Sequence, residues 1–274
     1  MLPDLEAQGI ALFAISYDSV EILRGFADKH SIRFPLLSDE GSRVIRELGL
    51  INEHVQEDHA VYGIKPSPRH VDLPYPGVFV LDEAGMIVQK RFHASYRERD
   101  TGGALLAATL GIRESVSPSS FATPNEAEAV AVRAWLDSPT YSFFQRLHAH
   151  VELRVAPGFH VYGLPAPAGM VSLSARVAPI DGVEVGPPNW PAAHNYRLED
   201  LGEELGLYEG TIHGSLPLTF AAAPGTGDHE VKLEVSYQAC SDAVCLPPHT
   251  VQLSLPVKEV ALVDRTLPAD SKSG

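Results

Sequence analysis

Tyr237-Gln-Ala-Cys-Ser-Asp-Ala-Val-Cys-Leu-Pro-Pro248 holds both cysteines of the chain, Cys240 and Cys245, so any thiol chemistry must run through this stretch. Four residues separate the two. That spacing lets the sulfurs meet across a tight loop, because a disulfide needs Cα atoms about 4.4–6.8 Å apart. Upstream, Val231, Leu233 and Val235 alternate with Lys232, Glu234 and Ser236, the period of a half-buried strand ending just before Cys240. Downstream, Pro247 and Pro248 interrupt regular pairing until Val251, Leu253 and Leu255 resume the alternation. The pair therefore caps a hairpin-like corner. Three chemistries fit it: a redox-active couple, a structural disulfide, or half of a metal site. A zinc centre usually shows a two-residue knuckle and four ligands. Only His249 stands near, so neither a metal nor another cofactor is expected.

The same stretch resembles the cysteine motif of the amino-terminal periplasmic domain of the thiol:disulfide interchange protein DsbD, an immunoglobulin-like sandwich that passes electrons between thioredoxin-like partners. Pro157-Gly-Phe-His-Val-Tyr162 and Leu207-Tyr-Glu-Gly210 extend the resemblance over roughly residues 143–257. It implies a thioredoxin-like redox protein as partner and a cap, carried by Leu207 and Tyr208, folded over the cysteines. An aliphatic side chain at Leu207, where the family often has an aromatic one, implies looser shielding. The resemblance also turns the face of His160 and Tyr162 toward the cysteine pair. These two lie two apart on an expected strand and share a face. There a tyrosine hydroxyl can hydrogen-bond a thiolate, and a charged histidine can stabilise one. Without that arrangement they read as a surface histidine and a half-buried sandwich tyrosine. Asp242 is expected to form an Asx-type turn rather than to carry a proton.

A chain of 274 residues with 45% hydrophobic residues is long enough for two cores. Its formal charge of −14 repels phosphate backbones and anionic lipid, which argues against nucleic acid as a partner. No uninterrupted apolar run approaches the 18 or more residues of a membrane span, so direct membrane insertion is not expected. Met1-Leu-Pro-Asp-Leu-Glu-Ala-Gln8 lacks the basic-then-apolar order of a secretory signal. Taken as complete, the chain would be cytoplasmic, whereas the resemblance implies the periplasm.

In the first half, Gly9-Ile-Ala-Leu-Phe-Ala-Ile-Ser-Tyr17 reads as a buried parallel strand, and Val20, Ile22, Leu23, Phe26 and Ala27 follow at helical spacing. Phe34-Pro-Leu-Leu37 reads as extended and residues 42–48 as a helix stopped by Gly49. Residues 78–88 read as a hairpin turning at Asp82-Glu-Ala-Gly85, and residues 104–110 as a helix. Ile15-Ser-Tyr-Asp18, Phe34-Pro-Leu-Leu-Ser-Asp39 and Tyr75-Pro-Gly-Val-Phe-Val-Leu-Asp82 resemble the AhpC/TSA redoxins of the thioredoxin fold, here lacking the first strand and the reactive cysteine. Pro76 falls where that fold places a cis proline; the alternative is an ordinary turn proline beside Pro74. An incomplete domain of this kind exposes a sheet edge or an apolar face, which invites self-association. His54, His59, His70 and His93 lack ligand spacing and are expected to be solvated.

Glu114-Ser-Val-Ser-Pro-Ser-Ser-Phe-Ala-Thr-Pro124 has linker composition, and residues 125–136 are expected as one amphipathic helix within it. From His148 the period changes to two, in short strands between Pro/Gly turns, the pattern of a β-sandwich. Pro187-Pro-Asn-Trp-Pro191 and residues 195–206 read as a long irregular excursion of lid or binding-loop type. The expected fold is thus a truncated α/β thioredoxin-like (redoxin) domain at 1–112, a linker at 113–142, an all-β immunoglobulin-like sandwich at 143–258 and a tail at 259–274. The leading expectation for function is a thiol-disulfide oxidoreductase working through Cys240 and Cys245. Its alternatives are a non-catalytic interaction protein with a structural disulfide, and a peroxiredoxin-type peroxidase whose cysteine would have to lie upstream of Met1.

Overall fold

The computed structural model describes residues 2–61, 65, 72–92, 99–102, 105, 110, 120–122, 129–142, 144–198, 203–221 and 227–260. Two compact units divide the chain, Met1–Tyr96 and Arg97–Gly274. The division falls before the Ser/Pro-rich stretch rather than within it, because strands on either side of that stretch belong to the second unit's sheet.

The first unit runs α1 (Leu2–Ala7), β1 (Ala14–Ser16), α2 (Val20–His30), β2 (Leu36–Ser38), α3 (Arg43–Glu47), α4 (Val55–Val61), β3 (Gly77–Leu81) and β4 (Ile87–Phe92). Ser19 caps α2, its hydroxyl accepting from the Ile22 amide, and Ser31 closes the helix in the left-handed region. Asp39 accepts from the Val44 and Ile45 amides and so anchors α3. β1 and β2 pair in parallel and β3 and β4 antiparallel, as two separate two-stranded sheets among the described residues. The β3–β4 turn is set by Asp82, whose carboxylate accepts from Ala84 and Met86.

Several expectations for this unit are corrected. The first strand is parallel but not buried: Phe13 and Ile15 are 57% and 48% exposed, because no described element covers that face. Of the apolar stripe on α2 only Leu23 is buried, while Val20, Ile22 and Phe26 are exposed. His59 is buried rather than solvated, lying one helical turn beyond the buried Val55 on α4. His54 is exposed and pairs with Glu57 at 3.1 Å; His70 and His93 lie outside the described residues, as does most of the helix expected over 104–110. Pro76 is not the cis proline: among the described residues the cis peptide is Leu164–Pro165. Leu73, Pro74 and Tyr75 instead run extended against Leu50, Ile51 and Asn52, with the Tyr75 amide donating to Leu50. A trans bond, the lower-energy isomer, carries that line straight into β3.

The second unit comprises β5 (Arg99–Asp100), β6 (Ser120–Ala122), β7 (Val130–Leu136), β8 (Thr140–Tyr141), β9 (Gln145–Val155), β10 (His160–Tyr162), β11 (Ser174–Val177), β12 (Val183–Val185), β13 (His194–Leu198), β14 (Glu203–Tyr208), β15 (Thr211–Phe220), β16 (His229–Tyr237), β17 (Ala239–Cys240) and β18 (His249–Glu259). One sheet follows the order β12-β15-β9-β7-β6, with β5 beside β9; a second follows β11-β16-β18-β8 and a third β13-β14-β10-β17. Leu147, Leu153, Leu216, Leu218, Leu233 and Leu255 are fully buried between them.

Residues 130–136, expected as part of a helix, form strand β7. Val130, Val132, Ala134 and Leu136 are buried while Ala131, Arg133 and Trp135 are half-exposed, and the segment pairs antiparallel with β9 from Val130↔Val155 to Leu136↔Ala149. A period of two places those apolar side chains in one core; a helix would scatter them. The expected tail begins inside β18, which continues to Glu259.

On the outer face of this sheet, Arg133 and Arg154 donate to Glu152 at 2.6 and 2.9 Å, and His213 Nδ1 lies 3.4 Å away. Burial by itself would raise the Glu152 carboxyl, but the Arg133 hydrogen bond and the charges of Arg133, Arg154 and His213 outweigh it and hold the group below the usual carboxylate range. A depressed folded-state pKa means that the stabilisation is complete above the unfolded value of about 4.3 and is lost as pH falls through the folded value. Glu152→Gln should therefore cost about 2 kcal/mol at neutral pH by depriving half-exposed Arg133, whose Nε is buried, of its carboxylate partner. Thermal melts of the two proteins should converge as pH is lowered from 7 to 3.

Candidate functional site: the Cys240–Cys245 corner

Cys240 and Cys245 form a disulfide with Cα atoms 4.0 Å apart. The two residues are bridge partners. The Ser241 amide donates to Val244 at 2.7 Å and the Leu246 amide to Ala239 at 2.9 Å, so the corner is a closed turn with proline at its exit. Ser241, not Asp242, forms the side-chain turn: its hydroxyl accepts from the Ala243 and Val244 amides. Asp242 is exposed at the tip. A hydroxyl one residue earlier already reaches those amides, which leaves the aspartate facing water.

The two cysteines occupy unlike surroundings. Cys240 is 1% exposed, whereas Cys245 is exposed. The difference follows from pairing: β17 lies against β10, with Ala239 opposite Val161 and Cys240 opposite His160, while Cys245 sits beyond the turn. Antiparallel partners project to the same face, so the His160 and Cys240 side chains are neighbours. Tyr162, two residues on, shares that face. Its ring meets His160 edge-on at 5.3 Å, and it packs with Cys240 and Leu205 in a small buried cluster flanked by Ala166 and Leu207.

Leu207 and Tyr208 lie on a strand rather than an irregular loop. β14 pairs with β10 on one side, Tyr162 opposite Leu207, and with β13 on the other, so most of the expected excursion is an ordered hairpin whose tip lies outside the described residues. The period of two separates the pair. Leu207 joins the cluster around Cys240, whereas Tyr208 enters the main core and its hydroxyl donates to the Pro191 carbonyl at 2.7 Å. Burial pushes the Tyr208 phenol up. Pro76 belongs to the first unit.

Three contributors were not singled out from sequence. Leu205 packs with Tyr162 and Cys240 in the buried cluster. Gly206 lies so close to Leu164 that an added Cβ would come within 2.6 Å of its carbonyl oxygen. Gln238, buried inside the motif, accepts from the Val171 amide and donates to the Leu246 carbonyl, both at 3.0 Å. A glutamine two residues before Cys240, directly after the alternating strand, is its sequence signal. Among the described residues no cluster of three or more metal-ligating side chains occurs, and no helix is long and apolar enough to cross a membrane.

Residues 138–256 match the family described as thiol:disulfide interchange protein DsbD, N-terminal. Residues 1–90 match the AhpC/TSA family. The chain thus carries a DsbD amino-terminal-like domain behind a redoxin-like one. DsbD of Actinobacillus pleuropneumoniae serotype 5b (strain L20) is 31% identical over 102 residues, 37% of this chain and 15% of that protein. The chain therefore spans only 15% of the length of this curated relative. Among solved structures, the reduced DsbD amino-terminal domain of Neisseria meningitidis is 23% identical, covering 39% of this chain and 74% of that one with a TM-score of 0.28. The complex of the DsbD and PilB amino-terminal domains of the same organism gives 20%, 48%, 85% and 0.34.

Gln238→Ala removes two hydrogen bonds that tie the corner to its surroundings. It should lower stability by about 2 kcal/mol, read as an earlier denaturant midpoint, while leaving the disulfide formed.

Proposed function

We propose that Cys240 and Cys245 are the redox couple of a thiol-disulfide interchange module that exchanges electrons with a thioredoxin-like partner. The asymmetry of the pair carries this reading: one sulfur belongs to an exposed residue, the other to a buried one beside a histidine and a tyrosine. A structural staple has no need of an accessible end. In the oxidised state a partner thiolate attacks the Cys245 sulfur, the disulfide breaks, and Cys240 leaves as a thiolate. In this reading His160, the register partner of Cys240, gives that thiolate a proton and Tyr162 hydrogen-bonds it. The partner's second thiol then resolves the mixed disulfide, and two electrons have moved to the pair. In reverse, Cys245 attacks a partner disulfide and Cys240 resolves. Periplasmic residence accords with this chemistry, since disulfide exchange of this kind operates in oxidising compartments. The redoxin-like stretch matched at residues 1–90 contributes no cysteine, so a peroxidase reaction would have no thiol of its own in the given sequence.

The redoxin-like unit, in this reading, supplies a surface for a second copy of the chain. Phe13, Ile15, Leu37, Leu48 and Val88 are all more than two-fifths exposed, and Ile15 and Leu37 are register partners on β1 and β2. Sedimentation should show a concentration-dependent dimer, and Ile15→Lys should return it to monomer; a monomer at all concentrations that binds no hydrophobic dye would remove the proposal.

The attack is assigned with two serine variants, each mixed with a thioredoxin-like protein lacking its resolving cysteine and run on a non-reducing gel. Cys240→Ser should trap a covalent complex through Cys245, and Cys245→Ser should not. Trapping only through Cys240 reverses the roles. If neither variant traps a partner, and the pair's reduction potential lies below about −300 mV, the disulfide is a staple.

A further inference from the structure

Cys240 and Cys245 face each other as a non-hydrogen-bonded pair of an antiparallel ladder. The Ser241 amide donates to the Val244 carbonyl at 2.7 Å on one side of them, and the Leu246 amide donates to the Ala239 carbonyl at 2.9 Å on the other. Such a pair brings its Cα atoms to about 4.5 Å through the backbone alone. The residues flanking Cys245 are thus tied to the residues flanking Cys240 by contacts that contain no sulfur atom.

Beyond Leu246 the backbone cannot extend this ladder, because Pro247 and Pro248 have no N–H to give. Gln238 adds the next rung with its side chain. Its Nε2 donates to the Leu246 carbonyl and its Oε1 accepts from the Val171 amide, both at 3.0 Å. One acceptor and one donor opposite it fix the orientation of the amide: turned over, it would set N–H against N–H and oxygen against oxygen. The Val171 end is itself anchored at the site, since two residues on the Leu173 amide donates to the Tyr162 carbonyl at 2.6 Å. Gln238 is 7% exposed, so water competes little for either bond.

We infer that Gln238 is a positioning residue that sets the reduction potential of the cysteine pair. The inference rests on the reading of Cys240 and Cys245 as a redox couple. When the dithiol is oxidised by glutathione disulfide, the two cysteine thiols give up two protons and two electrons, the S–S bond forms, and two glutathione thiols leave. The equilibrium constant of that exchange measures the effective concentration of one cysteine thiol at the other. In the dithiol, the clamp on Leu246 keeps Cys245 beside Cys240; in the disulfide, the S–S bond does so by itself. Hydrogen bond and disulfide favour the same loop conformation and therefore reinforce each other. Without the clamp the dithiol loop opens and gains entropy while the oxidised loop stays closed. The oxidised form then loses more than the reduced one, and the potential rises.

The potential is measured on the full chain at pH 7, equilibrated in graded ratios of reduced to oxidised glutathione and of reduced to oxidised dithiothreitol, with free thiols blocked by a maleimide and counted on a gel. Gln238→Ala should lower the equilibrium constant about fivefold, which is about 20 mV upward at about 30 mV per tenfold. Gln238→Met keeps the side-chain volume without the amide donor; it should raise the potential equally and secures the comparison if the alanine variant fails to fold. Tyr141→Phe removes a hydrogen bond to the Gly227 carbonyl, outside the corner, and should lower stability while leaving the potential unchanged. A potential unchanged or lowered in Gln238→Met, or raised as much in Tyr141→Phe, would overturn the inference. Failure of the couple itself is read separately, from partner trapping with Gln238 in place.

Discussion

The antiparallel pairing of β17 against β10 is the constraint on which the cysteine corner depends. Two residues of ladder, Ala239 on Val161 and Cys240 on His160, are enough to bury one sulfur and give it an imidazole for a neighbour. The turn that follows, closed by Ser241 and ended by Pro247 and Pro248, carries the second cysteine back out to solvent. The disulfide joins a fixed residue to an accessible one, and backbone hydrogen bonding rather than side-chain chemistry decides which is which. β14 completes the arrangement by pairing on the far edge of β10, so that Leu207 and Leu205 close over the cluster from the opposite side.

Much of this was legible in the residues. The alternation of Val231, Leu233 and Val235 located β16, the proline pair located its exit, and the two-residue spacing of His160 and Tyr162 gave their shared face. The same rule separates Leu207 from Tyr208, two residues that the resemblance places together in a cap: one belongs to the corner and the other to the core. The helix expected over residues 125–136 gives way to β7 because Val132 and Leu136 satisfy a helical period as well as an alternating one. The decision rested on Val130 and Ala134, which only the sheet needs buried. Its neighbourhood of serine and proline weighed toward linker, yet strand pairing with β9 supplied what local composition lacked.

Other features had no sequence signal. The energy separating cis from trans at an X-Pro bond is below about 1 kcal/mol, so local sequence does not rank Pro76 against Pro165, and tertiary context chose the latter. The burial of His59 depends on what packs against α4, not on the polar segment around it. The extreme case is a cleft of about 420 Å³ that both Trp135 and Trp190 line: they come to it only after β7, β9 and β15 have assembled and Gly214 has left room for the Trp190 indole.

The alternation along β14 ties the reactive corner to the body of the sandwich. A movement of that strand large enough to bare Cys240 must also draw Tyr208 out of the main core and break its bond to Pro191, since adjacent residues on one strand cannot move separately. Withdrawing an aromatic ring from an apolar interior costs about 2–3 kcal/mol before the lost hydrogen bond is counted. Cys245 needs no such displacement. In the proposed exchange a partner would meet Cys245 on the native surface, and the deeper sulfur would be reached only from within, by its own neighbour five residues away, so that exchange would need no displacement of β14.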